Sequence, residues 1–294
     1  VRIANHDGRA VLVLGDAAGT ADTADGAKAA DIATASGGRF GPGFASIYTA
    51  WEEFVAWASA AAPQPDVVLE RHRLGAPSPY PSQVVAIGLN YADHAAETGF
   101  AVPTTLPPVF TKFPSAITGP YGEVDLPPGG HTDWEVEVVA IIGRQAHRVS
   151  VEDAWSHVAG LTVGQDLSER VSQMAGPAPQ FGLAKSFPGF APIGPWLVTL
   201  DELEAAGLDR DDLALGCAVD GETVQDGRTS RLIFSIARTI AKLSEVITLR
   251  PGDVIFTGTP DGVGLGMDPP RFLRAGETLR TWVEGLGELE HTFR

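Results

Sequence analysis

The run Asp133-Trp134-Glu135-Val136-Glu137-Val138-Val139-Ala140-Ile141-Ile142-Gly143 holds the first residues whose types and spacing could do chemistry. It is rich in β-branched residues and bounded by Pro127-Pro128-Gly129-Gly130 and by Gly143, the pattern of a strand. Side chains alternate faces along a strand, so Glu135 and Glu137 share one face, roughly 7 Å apart. The same face continues into Val139 and Ile141, which read as core. Two carboxylates leading into a buried row repel each other and lose hydration unless a cation lies between them. An isolated Glu-x-Glu is more commonly the solvated end of a half-exposed strand, because acidic residues are mostly exposed. What decides between the two accounts is the rest of the chain.

Four other segments bear on it. In Ile87-Gly88-Leu89-Asn90-Tyr91-Ala92-Asp93-His94-Ala95-Ala96-Glu97-Thr98-Gly99 a strand enters a turn and then helical spacing. His94 and Glu97, three apart, are neighbours on a helical turn. A carboxylate beside an imidazole orients it and favours its protonated form, as a general base requires, although a surface histidine with a chance neighbour has the same spacing. Gly88 and Gly99 on either side suggest a lid. Asp166 closes a strand beginning at Leu161 and can add a third carboxylate. Arg170 and Gln173 follow on one face of a helical turn, where a guanidinium and an amide can grip a carboxylate or carbonyl oxygen. An Asp or Ser acting as a helix N-cap accounts for that segment equally well.

Lys185 lies in an apolar, glycine-bounded stretch, either desolvated and in need of an anion or snorkelling at the surface. The turn Phe256-Thr257-Gly258-Thr259-Pro260-Asp261-Gly262-Val263-Gly264-Leu265-Gly266 offers backbone N–H groups, that of Gly258 among them, and the Thr259 hydroxyl to an anionic oxygen. It lacks both the Gly-Lys-Ser/Thr ending of a phosphate loop and the dinucleotide fingerprint, which argues against a nucleotide. Lys112, within Phe110-Thr111-Lys112-Phe113-Pro114, reads as structural and is left outside the active site.

The elements that must position these residues are short. With 22 prolines and 34 glycines, the 294-residue chain favours many strands and turns over long helices. Strand patterns fall at 84–88, 136–142, 161–163, 196–199, 214–219 and 254–256, after two short strands around Asp7-Gly8. Residues 15–43 read mostly as loop, with a short element near 29–35. Helical periodicity marks 46–61, through Ile47, Trp51, Phe54, Val55 and Ala58, and 231–243, through Ile233, Ile236, Ile240 and Leu243. The proline cluster at 77–81 marks the boundary between a small domain, 1–78, and a mainly-β domain, 79–294. A net charge of −16 argues against nucleic acid or an anionic membrane as partner, and no run of 18 apolar residues marks a membrane span. The single cysteine, Cys217, is flanked by apolar residues and reads as core; a reducing compartment, with the cytoplasm as default, follows.

Taken in order, Gly-Leu-Asn-Tyr-Ala-Asp-His-x-x-Glu, Phe-Thr-Lys-Phe-Pro-Ser-Ala, Glu-Val-Glu-Val, Gln-Asp-Leu-Ser-Glu-Arg, Ala-Lys-Ser-Phe and Thr-Gly-Thr-Pro-Asp-Gly-Val-Gly resemble the fumarylacetoacetate hydrolase family, in its acylpyruvate hydrolase and 2-hydroxyhepta-2,4-diene-1,7-dioate isomerase branch. The resemblance covers about residues 80–294, and the first 75 look only loosely like the small N-terminal α/β domain many members carry. It implies a mainly β, α+β fold, a mixed β-sandwich roll, and usually a homodimer. By position, Glu135, Glu137 and Asp166 match the metal ligands, His94 and Glu97 the water-activating pair, and Lys185 the active-site lysine. Arg170, Gln173 and Thr259 match positions that hold substrate oxygens in some members. Asn90 departs from the pattern: the enzyme acting on fumarylacetoacetate itself has an acidic residue near the metal there, so its substrate is not carried over.

An all-carboxylate ligand set suits a hard dication, Mg²⁺ foremost, with Mn²⁺ or Ca²⁺ possible. The expected activity is metal-dependent hydrolysis of a C–C bond in a 2,4-dioxo acid, a small anionic substrate. Decarboxylation of oxaloacetate and isomerisation of a 2-hydroxy-diene-dioate in aromatic catabolism are the alternatives.

Overall fold

The computed structural model describes residues 1–15, 24–92 and 104–294. Its frame is a mixed sheet of twelve strands among the described residues. The main path runs Val67–Val68, Lys28–Asp31, Arg9–Val13, Arg2–His6, Ala191–Val198, Val158–Gln165, Val136–Ile142, Val254–Phe256, Val84–Ile87 and Val109–Lys112. A second sheet of five strands follows the order Glu222–Arg228, Ala214–Val219, Thr278–Val283, Gly287–Phe293 and Tyr121–Val124. Sheets dominate and helices are short, the mixed α+β architecture expected.

Val136–Ile142 lies inside the larger sheet, antiparallel to Val158–Gln165 on one side and to Val254–Phe256 on the other. Val136, Val138, Ala140 and Ile142 pack into one hydrophobic cluster with Leu215, Cys217, Leu279 and Leu289 of the second sheet. Val139 and Ile141 pack into another with Ile47, Phe54 and Ala58 of the helices Phe44–Thr49 and Trp51–Ala60. Every residue of the strand is buried, so it is covered on both faces and its carboxylate is inside the protein.

The strand patterns recur as elements, though 161–163 and 196–199 mark only parts of the eight-residue strands Val158–Gln165 and Ala191–Val198. Thr278–Val283 and Gly287–Phe293, which mix polar with apolar residues along their length, were not anticipated. The helix expected at 46–61 is broken at Ala50, where φ −124° and ψ 39° leave the helical region. The one expected at 231–243 begins only at Ile236, because Ser235 caps it by accepting from the Arg238 N–H. Within 15–43, Lys28–Asp31 is a strand and Asp31 caps the short helix Ile32–Ala35. Arg2–His6 pairs with Ala191–Val198, so the N-terminal hairpin extends the sheet that carries the carboxylates. Among the described residues no helix is long and apolar enough to cross a membrane.

Candidate active site

The pairing of two strands gathers the carboxylates. Val136 lies opposite Gln165 and Glu137 opposite Gly164, and the Asp166 N–H donates to Glu135 O at 2.9 Å just beyond the strand ends. Carboxylate oxygens of Glu135, Glu137 and Asp166 thereby come within 4.8 Å of one another, all three residues buried. The Gly258 N–H donates to Glu137 Oε2 at 2.6 Å. Gly258 has φ +104°, and a Cβ there would fall 2.6 Å from Asn90 Cβ, so only glycine brings its backbone this close. Burial, and then the charges of Asp166 and Glu135, push the Glu137 carboxyl well above the usual carboxylate range. Oxygen-only donors this close, with one destabilised by its neighbours, fit a hard divalent cation.

Cations surround the cluster. Lys185 Nζ lies 2.7 Å from Glu135 Oε2 and 2.7 Å from Asp166 Oδ2. Burial opposes its charge, but Asp166 and Glu135 outweigh burial and raise its pKa. The snorkelling account of Lys185 fails, since the residue is 2 % exposed. Lys112, excluded from the site on sequence, is a correction: it is buried and its Nζ pairs with Asp166 Oδ1. It closes the strand Val109–Lys112, where alternation gives it the parity of Phe110, and that alternation was the available signal. Burial lowers its pKa against the pull of Asp166, and the charge of Lys185 adds to the lowering.

Arg170 opens the one-turn helix Arg170–Gln173, as the spacing required. The cap is neither Asp166 nor Ser168 but Glu169, which accepts from the Val171 and Ser172 N–H groups. Asp166 is therefore released from capping. Arg170 Nη2 donates to Glu135 Oε1 at 2.7 Å and Nη1 to Gln173 Oε1 at 2.8 Å. Asp133, which sequence reasoning passed over, is fully buried and holds the Arg170 Nε at 2.8 Å. It shares the parity of Glu135 and Glu137, a signal available in the sequence.

A cavity of about 150 Å³ opens on this cluster, lined by Glu135, Arg170, Gln173, Lys185 and Thr259, with the stacked rings of Phe110 and Phe181 among its apolar walls. Thr259 Oγ1 accepts from Gln225 Nε2 at 2.9 Å. Met174 lines the cavity, whereas Trp134 and Phe190 are fully buried in the core. The glycine-rich turn does hold anionic oxygens, but they belong to the protein's own Glu137 and Asp133. Asn90 is structural: its Nδ2 donates to Phe234 O and Thr257 O, and its Oδ1 accepts from the Phe234 N–H. His94, Glu97, Phe100 and the expected lid lie outside the described residues.

The family model for the C-terminal region of fumarylacetoacetate hydrolases matches residues 83–294. A crystal structure of an HpcE-like protein from Mycobacterium smegmatis is 51% identical, covering 100% of this chain and 99% of that one with a TM-score of 0.90. The human mitochondrial oxaloacetate tautomerase is 44% identical over 72% of this chain and 66% of its own length. A fumarylpyruvate hydrolase from Pseudomonas aeruginosa, crystallised with Mn²⁺ and pyruvate, is 34% identical over 72% of this chain and 89% of that one, with a TM-score of 0.64.

Proposed function

The chain belongs to the fumarylacetoacetate hydrolase family, and from that premise we propose that it is a dication-dependent hydrolase cleaving the C–C bond of an acylpyruvate-type 2,4-dioxo acid. The observation that carries this reading is the buried triad Glu135, Glu137 and Asp166, which reaches through Glu135 a cavity whose other polar lining is Lys185, Arg170, Gln173 and Thr259. Counting Asp133, four carboxylates face three cations, so the site retains negative charge that a dication, Mg²⁺ foremost, would overcompensate, leaving room for one anionic substrate. Glu135, Glu137 and Asp166 would hold the ion, which would supply Lewis-acid charge to the oxygens of the 2-oxo acid.

The chain's own groups do the rest. His94, oriented by Glu97, removes a proton from water, which attacks the distal carbonyl. The C–C bond breaks, its electron pair stays with the 2-oxo acid fragment, and that fragment takes up a proton. Lys185 offsets the developing charge, and Arg170 and Gln173 hold the substrate's oxygens against the cavity wall. Acetylpyruvate and water would yield acetate and pyruvate. The products fit the fumarylpyruvate hydrolase captured with pyruvate.

A second reading is interconversion of the keto and enol forms of oxaloacetate, favoured by the likeness to the human tautomerase. Both reactions need charge on a 2-oxo acid to be stabilised, but only hydrolysis needs the water-activating pair. Purified protein is assayed with Mg²⁺, against a chelator control, on acetylpyruvate and oxaloacetate in parallel. Hydrolysis predicts acetate and pyruvate, with His94→Ala slowing release by about a hundredfold or more. Oxaloacetate tautomerisation without acetylpyruvate cleavage would replace the hydrolytic reading, and cleavage indifferent to His94→Ala would rule out His94 as the base.

A further inference from the structure

Six buried side chains form one string of alternating charge, each in contact with the next: Asp133, Arg170, Glu135, Lys185, Asp166 and Lys112. Its Asp133 end does not line the cavity, yet it is bound from two directions. Asp133 Oδ1 accepts from the Trp134 N–H at 2.8 Å and the Gly264 N–H at 2.7 Å. Oδ2 accepts from the Leu265 N–H at 2.9 Å and from Arg170 Nε at 2.8 Å, with Nη2 at 2.7 Å. One carboxylate thus ties the glycine-rich loop to the guanidinium. The loop reaches it because position 264 has no side chain: a Cβ there would fall 1.9 Å from Arg271 O and 2.8 Å from Asp133 Oδ1.

The consequence is felt in the cavity wall, which includes both Arg170 and Leu265. With Nε and Nη2 on Asp133, Nη2 also on Glu135 and Nη1 on Gln173, one N–H on Nη1 remains without a partner among the described residues. We propose that Asp133 is a positioning residue that determines affinity for the oxo-acid, by fixing the plane of Arg170 and the seat of Leu265 together so that this N–H serves a substrate oxygen. The proposal rests on the oxo-acid reading above. Asparagine cannot substitute: both carboxylate oxygens receive N–H donors, and one end of the amide would turn its own N–H groups against them.

The test is a double-mutant cycle of Asp133→Asn and Arg170→Met with Mg²⁺ present, reading KM and kcat on acetylpyruvate and the dissociation constant of oxalate. Asp133→Asn is expected to raise KM and the oxalate constant by ~10-fold or more, as for a misaligned charge-assisted hydrogen bond, with kcat changed less than about threefold. In the Arg170→Met background it should add nothing. Equal losses in both backgrounds, or no change in KM, overturn the proposal. Should Asp133→Asn not fold, Gly264→Ala, which pushes the loop off the carboxylate, is expected to raise KM in the same way, and an unchanged KM there is equally decisive.

Wild-type protein that neither cleaves acetylpyruvate nor binds oxalate sinks the oxo-acid reading instead. Hydrogen exchange then still tests the clasp. Arg170→Met should speed exchange at the Gly264 and Leu265 amides, and unaltered exchange would contradict it.

Discussion

The molecule carries two kinds of ion-pair network that use the same chemistry in opposite settings. At one surface Arg294 pairs with Glu123 at 2.8 Å and with Asp125 at 2.5 Å, its side chain 64% exposed. In the interior the string from Asp133 to Lys112 is assembled from side chains at most 7% exposed. Exposed pairs gain little because water and salt screen them. Buried ones lose their hydration, a penalty of several kcal/mol per ion that mutual attraction must offset, and an apolar core of similar volume is often as stable. The buried string is therefore the part of this fold that stability alone does not explain. It is also where the cavity lies.

Substitutions at graded burial sharpen the contrast. The largest effect on folding is expected at Lys112→Met, which leaves Asp166 with only Lys185 as a cationic partner among the described residues and should cost ~3 kcal/mol in denaturant unfolding. A loss too small to measure would mean that the interior pair is as weakly coupled as the exposed ones.

His291 tests burial without an ion pair among the described residues. It is buried, its Nε2 bonds to Gly119 O at 3.0 Å, and burial pushes its imidazole down from 6.5 to about 4. The folded state thus keeps it neutral where the unfolded chain would protonate it. Its contribution is complete above pH 6.5 and is lost as pH falls through about 4, on the order of 3 kcal/mol. His291→Gln should flatten that limb of the stability profile, and an unchanged acid limb would assign the loss elsewhere. The smallest effect belongs to Arg294→Ala, for which no measurable change in Tm is expected; a clear drop would show that the exposed network matters after all.

What could be read from sequence followed from periodicity. Val136–Ile142 and Val254–Phe256 are apolar runs between turn signals, and both strands are where that pattern put them. Asp166 was legible because it ends such a run, and Lys185 because glycines and apolar residues enclose it. Thr278–Val283 was not, since only alternate residues are buried and its Thr and Arg residues break up the apolar run. The break at Ala50 and the late start at Ile236 depend on local caps and tertiary packing rather than on apolar spacing.

In the site, Lys112 and Asp133 were missed for one reason. Strand alternation gives each its parity, but parity alone names no partner. Their roles appear only when Asp166 and Arg170, distant in sequence, fold against them.

The central claim is that Glu135, Glu137 and Asp166 exist to hold a dication. Calorimetric titration of Mg²⁺ into wild-type protein and into Glu137→Gln, with circular dichroism to verify the fold, addresses it directly. The account predicts one saturable site per chain in the wild type and affinity at least ~100-fold weaker in the variant, since even outer-shell changes cost 10–100-fold. Equal binding by both proteins, or none by the wild type, would contradict it.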